Sequence, residues 1–299
     1  MAEIQIPATR RRSIPGSLPV FSLRPPAVSG AALLQSARAL GAPAPSRGAE
    51  TILGEYWMTF QDGPFVVALH RRSGALTYRD RRWTVTPETR FDLDDRRSVA
   101  IARAFVRKAR LLPDAGARLV VAGVTHLRMR GGPPGGEPGP ETLLDAGVVF
   151  RRQVEGVPVI GPGGLVMVNL SGDGAVVGAD RVWRALGKRA GRADVVDLER
   201  ASGRLRSIYA RKDLLGAARV TRIEFGYFEA GVHDTQAYLE PAYAFIIEVE
   251  RPAVDDAPAL RSKTVEVIPA IARPRQRWTM TVPRMASPSP ARRVAASRR

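Results

Sequence analysis

The sequence predicts an α+β fold of two related antiparallel-sheet units, each with a helix packed on its sheet, plus irregular basic termini. Three observations predict it. Short segments alternate apolar and polar residues and are broken by turns rich in Gly and Pro, as antiparallel strands are. Two longer segments, residues 94–113 and 194–216, carry apolar residues at helical spacing. The pattern Gly-Ala-apolar-x-x-x-Asp-Arg-x-Trp occurs at Gly74–Trp83 and again at Gly174–Trp183, a constant offset of 100 residues. Duplication of a strand-rich unit leaves such a mark; coincidence in a chain rich in Gly and Arg is the competing reading.

Residues 1–50 read as an extended arm rich in Pro and Arg, with one short helix in "SGAALLQSARALG", capped by Ser29 and ended by Gly41. The first unit spans 51–130. "EYWMTF" turns through "QDGP" into "FVVALH", and "RRSG" leads into "ALTYRDRRWTV". The helix that follows is capped by Asp94 or Asp95. It sets Ala102, Phe105, Val106 and Ala109 against Arg103, Arg107 and Arg110, and Pro113 stops it. The strand "ARLVVAGVTHLRMR" closes the unit. Residues 131–140, "GGPPGGEPGP", form a linker with almost nothing to bury.

The second unit spans 141–272. Strands are expected over about 148–154, 165–170 and 175–183. A helix follows with Val195, Leu198, Leu205 and Ile208 on its apolar side, weakened or split at Gly203. "RVTRIEFGYF", "QAYLEPAYAFIIEVE" and "KTVEVIPAI" supply three more strands, and 273–299 is a disordered basic tail. Trp83 and Trp183 are expected as core plugs at the ends of matching strands.

The formal charge of +17 sits mainly at the ends: +8 in residues 273–299 and +4 in residues 1–50, leaving +5 for the body. Only four of the 46 basic residues are Lys, a bias that genome composition explains as well as guanidinium chemistry does. With no cysteine in the chain, disulfides, thiolate metal sites and thiol nucleophiles are excluded. No apolar run reaches the roughly 18 residues of a membrane span. Pro15, Pro19, Arg24, Pro25 and Pro26 interrupt what would be the apolar core of an export signal. No standard signal peptide is expected, and the chain as given reads as cytoplasmic.

Catalytic motifs are lacking. The glycines of "GPGG", Gly161–Gly164, precede an alternating strand rather than a helix, so the loop is a hairpin connection and not a phosphate cradle. His70, His126 and His233 lie on or beside three different strands without metal-ligand spacing. No Gly-x-Ser-x-Gly elbow marks a nucleophile. No catalytic, metal or cofactor site is expected.

The stretch Phe150-Arg151-Arg152-Gln153, Gly156-Val157-Pro158-Val159, Gly161, an alternating strand and Asp173-Gly174 resembles the core of PepSY and thermolysin-type propeptide domains. The likeness is best over residues 145–185; Pro241, Tyr243 and Phe245 resemble the closing strand of such domains more loosely. The resemblance implies a small sheet-and-helix unit, no cofactor, and action by binding: inhibiting or chaperoning a peptidase, or serving as an extracytoplasmic interaction module. No peptidase follows in this chain, so a propeptide acting in cis is not expected.

The expectation is therefore a non-enzymatic protein-binding module of unassigned oligomeric state. Arg151, Arg152 and Gln153 are the candidate partner contacts, provided that their strand lies at an edge. The alternative is a nucleic-acid-associated protein binding phosphates through its terminal arms. In both cases Arg273, Arg275, Arg277, Arg292, Arg293, Arg298 and Arg299 form an electrostatic tail. A second alternative is a hydrolase built around His233 or His126.

Overall fold

The computed structural model describes residues 4–7, 14–42, 44–82, 91–114, 118–133, 135–137, 139–212, 216–251, 253 and 260–276. In chain order the elements begin with β1 (Ile4–Gln5), β2 (Ser17–Leu23) and α1 (Gly30–Ala39). A meander follows: β3 (Glu50–Leu53), β4 (Trp57–Asp62), β5 (Phe65–His70) and β6 (Leu76–Asp80). Then come α2 (Asp95–Lys108), β7 (Arg118–Arg130), β8 (Glu141–Val154), β9 (Val157–Ile160), β10 (Leu165–Leu170), β11 (Val176–Val182) and β12 (Leu186–Asp194). The chain continues through α3 (Leu198–Tyr209), β13 (Ala217–Phe228), β14 (Tyr238–Arg251) and β15 (Leu260–Pro269).

These strands form one mixed sheet of 15, not two separate sheet-and-helix units. The order is β12-β2-β14-β13-β9-β8-β10-β11-β6-β5-β4-β3, with β1 on β13, β15 on β14 and β7 on β8. The two-unit expectation fails because strands of 51–130 pair directly with strands of 141–272: β7 runs antiparallel to β8 along its whole length, and β6 pairs with β11. Two short joints then extend the sheet further. Val159 and Ile160 of β9 pair in parallel with Tyr227 and Phe228 of β13, and Phe21 and Ser22 of β2 pair with Leu239 and Tyr238 of β14. The segment 1–50 is also no free arm. It supplies two strands and a helix, with Val20 and Leu33 fully buried.

All three helices start on an oxygen-bearing cap that satisfies a free amide of the first turn. Ser29 accepts from Ala32 N at 3.2 Å, Asp94 from Arg97 N at 2.6 Å and Asp197 from Arg200 N at 2.8 Å. Leu33 of α1 and Ala102 and Val106 of α2 share a core with Phe60, Val148, Phe150, Val166 and Val168. Ala201 and Leu205 of α3 join a second core with Tyr243, Phe245, Ile247 and Ile268. The sheet is thus continuous while its apolar interior is divided.

The two copies of the sequence repeat fall on β6 and β11, which pair with each other antiparallel. Tyr78 faces Ala179 and Arg79 faces Gly178. A shift of 100 residues exchanges these two pairs, so the copies meet about a local two-fold in the ladder. Trp183 is buried as a core plug; Trp83 lies outside the described residues. The succession helix, long strand, long strand occurs as α2-β7-β8 and again as α3-β13-β14.

Two glycines predict opposite outcomes. A Cβ on Gly226 would sit 2.3 Å from Pro158 O and 2.9 Å from Ile160 Cγ2, at the joint between β13 and β9. Gly226→Ala is expected to destabilise the protein by about 1–3 kcal/mol through overpacking. Gly203 lies within α3, with nothing within 4 Å of its would-be Cβ. Gly203→Ala is expected to stabilise by about 0.5–1 kcal/mol. Urea unfolding of the two variants reads both signs.

Candidate functional site

The strand expected to offer partner contacts is interior. β8 is flanked by β7, β9 and β10, with Gln153 opposite Arg118 and Pro158, Arg152 opposite Leu119, and Arg151 opposite Leu165. Arg151 and Gln153 are half-buried. The Arg151 guanidinium is occupied by the glycine loop, donating to Gly161 O at 2.6 Å and Gly163 O at 3.1 Å. Arg152 is 0% exposed, so it cannot meet a partner. Strand alternation carried the signal: Val148, Phe150, Arg152 and Val154 share one parity, and all four are buried.

Arg152 instead anchors a buried ionic cluster. Its Nη2 donates to Asp114 Oδ2 at 2.6 Å, and its Nη1 donates to Glu229 Oε2 at 3.1 Å and to Arg184 O at 2.9 Å. The guanidinium lies over the Trp183 ring, 4.7 Å from its centre. Trp183 Nε1 and Leu186 N also donate to Asp114. Glu229 accepts from Arg184 N at 2.7 Å, and the Arg184 side chain caps the carbonyls of Ala230, Gly231 and Asp234. Burial pushes the Glu229 carboxyl up, while Arg152 and Arg184 pull it down.

The glycine loop closes over this cluster. Gly163 N donates to Glu229 O at 2.9 Å and Glu229 N donates to Ile160 O at 3.0 Å. A Cβ on Gly163 would meet Ala230 O and Glu229 Cγ at 2.6 Å, so only glycine lets the loop approach. Gly161 and Gly164 have φ of 95° and 63°. Asp114 and Glu229 had no visible signal in the sequence, because each lies far along the chain from Arg152.

Of the three histidines, two converge. The His70 and His233 rings lie 5.2 Å apart, edge to face, with Trp57 edge-on to His70 at 4.9 Å. Ser73 N donates to His70 Nδ1 at 3.3 Å, which places the ring proton on Nε2, where it has no hydrogen-bond partner among the described residues. Ser73 is itself buried and accepts from Ala75 N, so this Ser–His contact clamps a turn. His126 stands apart, 3.1 Å from Asp95 and edge-on to Phe91. Among the described residues no group of three or more His, Asp or Glu could hold a metal ion.

An apolar surface lies at the opposite end of the sheet from β12. β3 is the last strand in this order, bonded among the described residues to β4 alone, and all four of its residues are exposed. Leu53 faces Met58 and Thr51 faces Phe60, both partners buried in the core. Leu53 is therefore on the core side of the sheet, yet it is 64% exposed, because α1 covers β4 and β5 and stops short of β3. Ile52 on the other face is 50% exposed, and Tyr56 beside the strand is 43% exposed.

In the basic tail, Arg273 and Arg275 are exposed; Arg275 lies over the Tyr238 ring and donates its backbone N–H to Glu240. Arg277, Arg292, Arg293, Arg298 and Arg299 lie outside the described residues. No helix among the described residues is long and apolar enough to cross a membrane.

No protein-family model and no curated protein matches this chain. Among solved structures, an uncharacterized protein from Eubacterium rectale is similar in fold, with a TM-score of 0.56 at 8% identity, over 88% of this chain and 87% of that one.

Removing one partner from a buried ionic cluster leaves an uncompensated charge. Arg152→Met is expected to cost about 3–5 kcal/mol. Arg152→Lys is not expected to rescue it, since a point charge cannot bridge two carboxylates and stack on an indole. Arg79→Gln, at the half-exposed pair with Asp180, is expected to cost about 1 kcal/mol or less. Denaturant midpoints of the three variants check this.

His70 predicts a pH dependence. Burial first, then His233, Arg184 and Arg72, depress its pKa below the ordinary 6.5. Below pH 6.5 the unfolded chain takes up a proton that the folded chain refuses, so this contribution to stability is present above 6.5 and lost as pH falls. The wild-type urea midpoint is expected to drop between pH 7 and pH 5.5, with a shallower slope in His70→Gln.

Proposed function

We propose that this protein is a non-enzymatic binding module whose partner is another protein, docked as an extended segment along the free edge of β3. The observation that carries the reading is Leu53: a core-side leucine on the last strand of a long sheet, with no helix or further strand among the described residues over it. Natural sheets guard such edges with Lys, Pro, bulges or covering segments. β3 pairs with β4 in regular register; beyond its short length and Glu50 it carries no Lys, Pro or bulge, and no described segment covers it. An added strand satisfies the free backbone groups of the edge, and Leu53 and Ile52 offer apolar contacts on its two faces. The resemblance of residues 145–185 to PepSY and propeptide modules supports the same class of action, since those domains work by binding.

A photo-crosslinker in place of Ile52, used in the native cell, is expected to capture a protein through one extended segment. The pair Ile52→Lys and Leu53→Lys is expected to abolish binding of that segment with the folded state retained. Leu127→Lys with Met129→Lys, on the exposed hairpin strand β7, is expected to leave it unchanged. Binding that survives lysines on β3, or that follows nucleic acid and vanishes with nuclease, contradicts the reading.

A further inference from the structure

Arg181, on β11, is a cation without a counter-charge among the described residues. Its Nη2 donates to Gly74 O at 2.8 Å and its Nη1 to Leu111 O at 3.3 Å. Its Nε–H is buried with no acceptor, and no carboxylate among the described residues lies within ion-pair distance. Leu111 follows the C-terminus of α2, whose dipole offers about half a negative charge. That compensation is partial. The carboxylates nearby are engaged elsewhere: Asp114 by Arg152 and Arg24, Glu229 by Arg152 and Arg184. Asp234 acts on Arg184. Burial lowers the Arg181 pKa to about 10, so the group is charged at neutral pH. The equivalent position in the first repeat, Arg81, is exposed and meets water instead.

The guanidinium borders empty space on two sides. A cleft of about 320 Å³ opens between the segment leading into α1, the turn after β5, and the chain from Arg181 to Ala185. Pro25, Pro26, Val28 and Trp183 give it apolar walls, and Arg24 and Arg184 line it beside Arg181. A smaller cavity of about 120 Å³, beside Ser36 and Leu76, also touches Arg181. Arg181 is half-buried, with its Nε–H fully withdrawn from solvent. A charge so placed without a partner is costly, and a cleft of this size with convergent polar groups on apolar walls is the form of a small-molecule site.

We propose that this cleft binds a small organic anion, its carboxylate or phosphate group on Arg181 and Arg24 and its apolar body against Pro25, Pro26 and Val28. The proposal is independent of the β3 edge.

The test titrates the full chain by calorimetry with benzoate, phenyl phosphate, neutral benzamide and inorganic phosphate. Saturable binding of benzoate or phenyl phosphate is expected, and the tighter of the two identifies the head group. Benzamide and inorganic phosphate are expected to bind at least about 10-fold more weakly, since each lacks either the charge or the body. Arg181→Gln is expected to weaken binding about 10-fold or more. Because Arg181 also holds two carbonyls, Ala27→Trp provides a second variant. Ala27 is exposed on the cleft wall, so its replacement obstructs the cleft without touching the charge and is expected to weaken binding similarly. Failure of both anions to saturate, equal binding of benzamide or inorganic phosphate, or unchanged binding in Ala27→Trp overturns the proposal.

Discussion

A sheet of 15 strands assembled around divided cores needs something to hold its parts in one register, and the buried Arg152 cluster occupies that place. The guanidinium ties β8 to Glu229 at the end of β13, to Asp114 after α2 and to the backbone between β11 and β12. A guanidinium is suited to this because its fixed fork can serve two carboxylates and a carbonyl at once while its face stacks on an indole. Buried ion pairs are poor sources of net stability, but they penalise every arrangement that leaves one member alone. At this position the consequence is geometric: β8 and β13 can be displaced only by exposing or stranding charge.

The strand pairing at the same place is slight. β9 contributes two pairs to β13, and the glycine loop after β9 then folds back over Glu229. Gly226 and Gly163 permit backbone contacts that any side chain would block. The joint is therefore polar and close-packed, whereas the interiors on either side of it are apolar and built around α2 and α3. The edge strand β3 lies far from this joint in the strand order, whereas the cleft beside Arg181 shares Trp183 and Arg184 with it.

Local structure was legible in the sequence to the extent that it depends on local periodicity. Ser29, Asp94 and Gly41 mark helix ends where the structure has them, and the alternation in "LVMVNL" coincides with β10. β2 and β12 were illegible. "SLPVFSL" contains a proline and "LGKRAGRAD" has no apolar alternation; they are strands because β12 pairs with β2 and β2 pairs with both β12 and β14. Gly203 was expected to weaken or split α3, but packing of Ala201 and Leu205 carries the helix through it. Arg152 was legible and misread: its parity with Phe150 placed it inside, while its charge suggested a surface. Its partners come from chain segments 38 and 77 residues away, and no spacing rule links them. The single continuous sheet escaped the sequence because periodicity marks strands and not their partners: β7 pairs with β8 across the Gly/Pro stretch that reads as a linker, and β6 pairs with β11 about 100 residues away.

The central claim is that the sheet behaves as one cooperative unit across the Arg152 cluster. Native-state hydrogen exchange, measured amide by amide as denaturant rises, tests it most directly. The account predicts that the slowest amides of β10 and of β14 converge on a common opening free energy and a common denaturant dependence. Separate opening of β13, β14 and β15 at lower free energy, with β8 and β10 still protected, would contradict it.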